Sequence, residues 1–319
     1  MRNKPLPLNQ QARGLPRRAI FDANYKSLLP GELARAEGQP PTPDTTVNEA
    51  YDHLGITHRF FWENYARDSI DDQGMPLNAT VHYQKNYSNA FWNGKEMVMG
   101  DGDGEIFNRF SISTEIVAKE LAKGIIEAET GLPYWGEPGA LIESLSDVFG
   151  SLVKQYFLQQ TASQADWLIG QGLFTTHVNG IALTSMKAPG TAFDDPLLGK
   201  DPQPAHMRDY VKTEADNGGI HVNSGIPNHA FYLIALEMNG YAWEKAGRIW
   251  YVTLKNMLKA DSSFQDCANS THQTAGKLFG TNSMEQQAVK NGWAKVGIEV
   301  GNQGKISPRA SLPRSKKQK

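Results

Sequence analysis

EIVAKELAKGIIEAETGLPYWGEPGALIESLSDVFGSLVKQY, residues 115–156, decides the fold. Ile116, Val117, Leu121, Ile125 and Ile126 recur at helical spacing. Lys119 and Lys123, four positions apart, therefore share one helix face a single turn from each other, with Glu120 in the intervening sequence. Gly131, Gly136, Pro138 and Gly139 punctuate a turn. In the second helix Leu141, Leu145, Val148, Phe149, Leu152, Val153 and Tyr156 form a broad apolar stripe, and Glu143 and Asp147 sit one turn apart on another face. Two adjacent apolar helices thus carry five charges.

The rest of the chain is ordinary globular material: 319 residues, 39% hydrophobic and 21% charged, enough for one large core or two moderate ones. The first twenty residues hold no apolar run suited to a signal peptide, and no stretch reaches the length of a membrane span. A cytoplasmic protein, or one exported without such a peptide, is expected. A single cysteine, Cys267, excludes an internal disulfide and reads as a small core or surface residue. The formal net charge of −2 conceals five Lys/Arg in residues 1–18 and six in 301–319, leaving a body with 21 basic and 34 acidic residues. The basic ends read as solvated tails, and no nucleic-acid partner is expected.

Ala19–Asp22 reads as a first strand, followed past a Pro-rich stretch by a helix capped near Thr45 or Thr46 and expected to break at Gly55. Ala79–Tyr83 reads as a strand. Asn89-Ala90-Phe91-Trp92 pairs with Glu96–Met99 through Asn93-Gly94, the strongest short hairpin signal. Asp101-Gly102-Asp103-Gly104 invites a calcium-loop reading, but the twelfth position of such a loop is Ile112, so a tight turn is expected. Residues 175–218 are loop-rich. A helix entered at Pro227 and helical segments near 243–258 and 272–294 complete the chain.

Lys119-Glu120-Leu121-Ala122-Lys123 and the Glu143/Asp147 pair resemble the thermolysin family of zinc metallopeptidases, most closely its protealysin branch. There His-Glu-x-x-His supplies two zinc ligands and the general base, and Glu-x-x-x-Asp the third ligand and its support. The likeness runs from about residue 20 to 300. Asn89–Trp92 resembles the family's substrate-lining edge strand, Tyr134 its oxyanion-holding tyrosine, and Asp216 and His221 its transition-state histidine with the aspartate that orients it. The resemblance implies an α+β fold: a β-rich lobe with the central helix (19–130), an all-helical lobe (131–300) and an active-site cleft between them, flanked by a basic leader (1–18) and tail (301–319). A monomer is expected.

The departures fall on the chemistry. Lys119 and Lys123 replace both histidine ligands, Ile142 stands for an asparagine that supports a ligand, and Thr184 for an arginine that grips substrate. Glu115, Lys154 and Leu168 fit the family's double-calcium acids poorly, and no such site is expected. An ammonium has no lone pair to offer zinc. Deprotonating one lysine at pH 7 costs roughly 4.6 kcal/mol, and two roughly 9. Two ammonium groups instead supply the charge a zinc ion would, so a buried or half-buried ion cluster with Glu120, Glu143 and Asp147 is expected, with Lys119→Met costing less stability than Glu143→Ala if the cleft is apolar. No metal is expected, although zinc is the family default. Three functions follow: an inactive homologue whose cleft binds a peptide, propeptide or proteinaceous inhibitor; an active metalloendopeptidase with unusual ligation; or a metal-free hydrolase using a lysine beside Glu120.

Overall fold

The computed structural model describes residues 13–301. β1 (Arg18–Asp22), β2 (Glu32–Ala36), β3 (Leu77–Val81), β4 (Ala90–Trp92) and β5 (Met97–Met99) form one sheet in the order β2-β1-β3-β5-β4. β1 runs parallel to β3 and β3 to β5, while β2 and β4 pair antiparallel at the two edges. The crossover from β2 to β3 contains α1 (Thr45–Tyr65), whose Val47, Leu54, Phe60 and Phe61 are buried in one core with Ile20, Leu77, Ala79 and Val81 of the sheet.

α1 departs from the sequence reading twice. Its cap is Asp44, whose Oδ1 accepts the N–H groups of Thr46 at 2.8 Å and Val47 at 3.3 Å. It also runs unbroken through Gly55. The missing side chain there leaves room for the guanidinium of Arg18, which donates to the Tyr51 carbonyl at 3.1 Å and to Glu37 at 2.6 Å. β3 ends at Val81 rather than Tyr83 because His82 turns to φ 54°, aiming its ring at Asp44 and Asp101. Residues 13–18, expected in the leader, are instead tied to the body: Gly14 N–H donates to Asp68 at 3.1 Å and Arg18 opens β1. The remainder of the leader and residues 302–319 lie outside the described residues. The 101–104 turn is tight as expected, with Asp103 Oδ1 accepting the N–H groups of residues 105, 106 and 107 at 2.8–3.0 Å.

α2 (Thr114–Thr130) and α3 (Gly136–Leu158) run through the centre of the molecule. Ser113 caps α2, and Gly131 ends it at φ 65°. Val117, Ala118, Leu121 and Ala122 of α2, and Leu145, Val148, Phe149 and Leu152 of α3, are at most 2% exposed. Each large one contributes roughly 1.5–3 kcal/mol. Gly150 lets the backbones approach so closely that a Cβ there would stand 2.5 Å from the Glu115 carbonyl oxygen. This close approach is what brings side chains of the two helices within ion-pair reach.

Beyond α3 come two ribbons of two-residue strands, β6 (Leu168–Ile169) with β7 (Thr184–Ser185) and β8 (Asp194–Asp195) with β9 (Gly199–Lys200), so this lobe is helical but not wholly so. Then follow α4 (Ala215–Asn223), α5 (Gly225–Met238), α6 (Ala246–Asn256), α7 (Phe264–Phe279) and α8 (Met284–Lys295). α5 begins two residues before Pro227, which sits in its first turn. The segment read as 272–294 is divided at Gly280, after which Ser283 caps α8. Cys267 is buried in α7.

Candidate functional site

Lys119 and Lys123 extend from α2 toward α3 and meet on one carboxylate. Lys119 Nζ lies 3.1 Å from Glu143 Oε2 and 2.6 Å from Asp147 Oδ1; Lys123 Nζ lies 3.0 Å from Glu143 Oε1 and 3.2 Å from Glu120 Oε1. Glu143 is 0% exposed and the two lysine side chains 13% and 19%. Asn228 of α5, a partner the sequence reading missed, donates to Asp147 Oδ2 at 2.9 Å. At this depth every charge interacts strongly with its neighbours. Burial alone would raise the Glu143 carboxyl, but Lys119 and Lys123 outweigh it and hold it far below the ordinary carboxylate range. Burial likewise opposes both ammonium groups, yet Asp147 and Glu143 hold Lys119 well above its ordinary value, and Glu120 and Glu143 raise Lys123. The Glu120 carboxyl is raised, because its burial outweighs its two lysine neighbours.

Tyr134, in the α2–α3 turn, donates its hydroxyl to Glu143 Oε1, and burial of the phenol, reinforced by that carboxylate, raises its pKa. His221 faces the same point, with Nε2 3.6 Å from Glu143 Oε1 and 3.4 Å from the Tyr134 hydroxyl. It is held by Asp216, whose Oδ1 lies 2.6 Å from Nδ1 and whose Oδ2 accepts the His221 backbone N–H at 2.8 Å. The geometry depends on a left-handed turn: Asp216, Asn217, Gly218 and Gly219 have φ of 52°, 49°, 82° and 77°. Asp and Asn tolerate this region, and glycine adopts it freely. A Cβ on Gly218 would meet the Gly136 amide nitrogen at 3.0 Å.

β4 closes the other side. Its outer edge is bridged by Glu120, whose Oε2 accepts the Trp92 N–H at 3.2 Å. Both Glu120 oxygens are therefore engaged. Phe91, Trp92, Leu132, Tyr134 and Ile142 line a cavity of about 560 Å3 together with Glu120, Lys123 and Glu127. Of the expected edge residues, Asn89 turns its side-chain oxygen back to the Ala90 N–H at 2.9 Å, and Ala90 is buried. Only Phe91 and Trp92 face the cavity. Thr184 lies in β7 beside Ile169, with no hydrogen-bond partner for its buried hydroxyl and no link to the ion cluster. Glu127 was not singled out from the sequence, although it lies one turn beyond Lys123 on α2. Farther along the helix pair, Lys154 Nζ sits 2.8 Å from Asp166 and 3.6 Å from Glu115, tying the start of α2 to the segment before β6.

The residues at the cluster do not fit zinc. Two of the three ligand positions hold ammonium groups without lone pairs, and both oxygens of the third, Glu143, are ion-paired to them. Among the described residues no group of three or more His, Cys, Asp or Glu side chains is arranged to hold a metal ion. A lysine acting as general base would need a lowered pKa, whereas both are raised. What the site offers is a fixed, charged floor beside an apolar cavity, with the ring of His221 exposed next to Tyr134.

Sequence comparison matches residues 17–127 to the thermolysin metallopeptidase catalytic domain and 130–298 to the thermolysin metallopeptidase alpha-helical domain. An extracellular metalloprotease of Pectobacterium carotovorum subsp. carotovorum is 54% identical over 298 residues, 93% of this chain and 85% of its own. Protease PrtS of a Photorhabdus species is 48% identical, covering 90% of this chain and 78% of its own. The solved precursor of protealysin, a metalloproteinase from Serratia proteamaculans, superposes with a TM-score of 0.89 at 55% identity, over 92% of this chain and 90% of that one.

Proposed function

The chain belongs to the thermolysin family of metallopeptidases, and from that premise we propose that it is a member that no longer hydrolyses peptides but keeps the cleft as a peptide-binding site. The observation that carries this reading is the pairing of Lys119 and Lys123 with Glu143, which fills the ligand positions with their own counter-charges. Without a metal nothing lowers the pKa of a water, and Glu120, the residue at the general-base position, already spends its oxygens on Lys123 and Trp92. Tyr134 and His221, which would steady a developing oxyanion, are instead turned toward Glu143. The cavity, the β4 edge, whose outward N–H groups a peptide would have to take from Glu120 and Asn89, and the exposed His221 remain suited to an extended peptide, a propeptide or an inhibitory protein segment. The names of two relatives favour a second reading, an active metalloendopeptidase with unusual ligation.

Turnover of an internally quenched peptide by the purified chain, with and without added zinc, separates the two. The proposed function expects no turnover in either case, together with saturable binding of the intact peptide. Zinc-dependent cleavage at an ordinary protease rate would overturn it, and cleavage that resists chelators would point to the metal-free lysine mechanism. For location, the relative named extracellular favours the exported alternative. Among the described residues no helix is long and apolar enough to cross a membrane. Assaying culture supernatant against cell lysate tests it.

A further inference from the structure

The cavity beside the ion cluster has walls and a rim of different character. Phe91, Trp92, Leu132 and Ile142 supply apolar and aromatic surface, and Glu127 stands at the open side with its Oε2 3.3 Å from the Trp92 indole N–H. That hydrogen bond fixes the carboxylate beside the indole ring. Lys123, the nearest cation along the helix, is committed elsewhere, to Glu120 and Glu143. Among the described residues no Lys, Arg or His lies within ion-pair distance of Glu127. The ion cluster itself sets two lysines against Glu120, Glu143 and Asp147, so it does not offset the negative rim.

An apolar trough ending in an unpaired carboxylate matches one kind of side chain: a long aliphatic stem with a cationic head. The stem covers Leu132 and Ile142, and the head reaches the Glu127 carboxylate and the face of Trp92, where carboxylate attraction and cation–π attraction act together. An acidic side chain would be repelled, and a neutral one of the same length would fill the trough and leave the carboxylate unpaired. We propose that this cavity selects a lysine or arginine side chain of the bound peptide, with Glu127 and Trp92 as the specificity-determining residues. The proposal rests on the peptide-binding reading of the cleft and adds which peptides it takes.

Fluorescence anisotropy with the full chain tests it, using fluorescein-labelled hexapeptides whose third residue is lysine, norleucine or glutamate and whose other positions are a fixed mixture of Ala, Leu and Phe. The lysine set is expected to bind about tenfold more tightly than the norleucine set, and the glutamate set more weakly than both. Glu127→Gln, which keeps the shape and the capacity to accept from the indole, should cut the lysine preference to the smaller share that Trp92 supplies, and 0.5 M salt should weaken it. Equal binding of the lysine and norleucine sets, or a preference unchanged by Glu127→Gln, would overturn the proposal while leaving the peptide-binding function standing. Failure of all three sets to bind would overturn that function and this proposal together.

Discussion

Lys119→Met is the most informative single change to the ion cluster. Two lysines face Glu120, Glu143 and Asp147, and removing Lys119 takes away what is, among the described residues, the only close cation of two buried oxygens, Glu143 Oε2 and Asp147 Oδ1, neither of which has a hydrogen bond there to replace it. Breaking a buried pair costs roughly 3–5 kcal/mol. Proton uptake caps that cost: neutralising at pH 7 a carboxyl with an ordinary value near 4.5 takes roughly 2.5 × 1.36, or about 3.4 kcal/mol. About 3 kcal/mol is therefore expected. Glu143→Ala leaves Lys119 with Asp147 at 2.6 Å and Lys123 with Glu120 at 3.2 Å, so each cation keeps a partner, and about 2 kcal/mol is expected, chiefly from the lost volume and the stranded Tyr134 hydroxyl. The geometry thus reverses the order read from sequence, where Lys119→Met was expected to be the milder. Urea midpoints at pH 7 measure both. The pH dependence adds a sign. In Lys119→Met the stranded carboxyls have raised pKa values in the fold, whereas the parent holds Glu143 far below its ordinary range, so the deficit relative to the parent is largest near neutral pH and keeps shrinking as pH falls through 4.5 and below. A milder Lys119→Met than Glu143→Ala, or both within 0.5 kcal/mol of the parent, would refute the reasoning.

His82 bridges Asp101 at 2.7 Å and Asp44 at 2.8 Å, and Asp101 foremost, with Asp44, raises its pKa to about 9 against opposing burial. Its contribution is complete below its ordinary 6.5 and lost as pH rises through 9, so His82→Gln should cost about 2 kcal/mol at pH 6 and much less at pH 9.5, as thermal melts across that range will check. Gly218→Ala places a side chain in left-handed backbone against Gly136 and should cost more than 1 kcal/mol while displacing His221, visible as a shift of its imidazole NMR signals. Lys119→His with Lys123→His should gain zinc binding, read by competition with a chromogenic chelator, yet recover little turnover, because Ile142 and Thr184 still stand where the family's supporting and gripping residues belong.

Much of this was legible in the sequence because helical periodicity places charges as firmly as it places apolar groups. Once Ile116, Leu121 and Ile125 face the core, Lys119 and Lys123 must share a face, and Gly150 permits the close crossing that joins them to Glu143 and Asp147. What the sequence hid depends on single side chains acting across the fold. Asp44 outcompetes Thr45 and Thr46 as the cap of α1, and Gly55 continues the helix because its empty Cβ position is used by Arg18. The four-residue left-handed turn that delivers His221 has no periodic signature at all. Nor does Glu127 announce itself beside Glu129 near the end of α2, until Trp92 is seen to hold it.

The central claim is that Lys119 and Lys123 hold the place of the metal. Elemental analysis of the purified, dialysed chain tests it most directly. The account predicts far less than one zinc per chain and a melting temperature unchanged by chelator; a stoichiometric zinc signal that survives dialysis, with a melting temperature lowered by chelation, would contradict it.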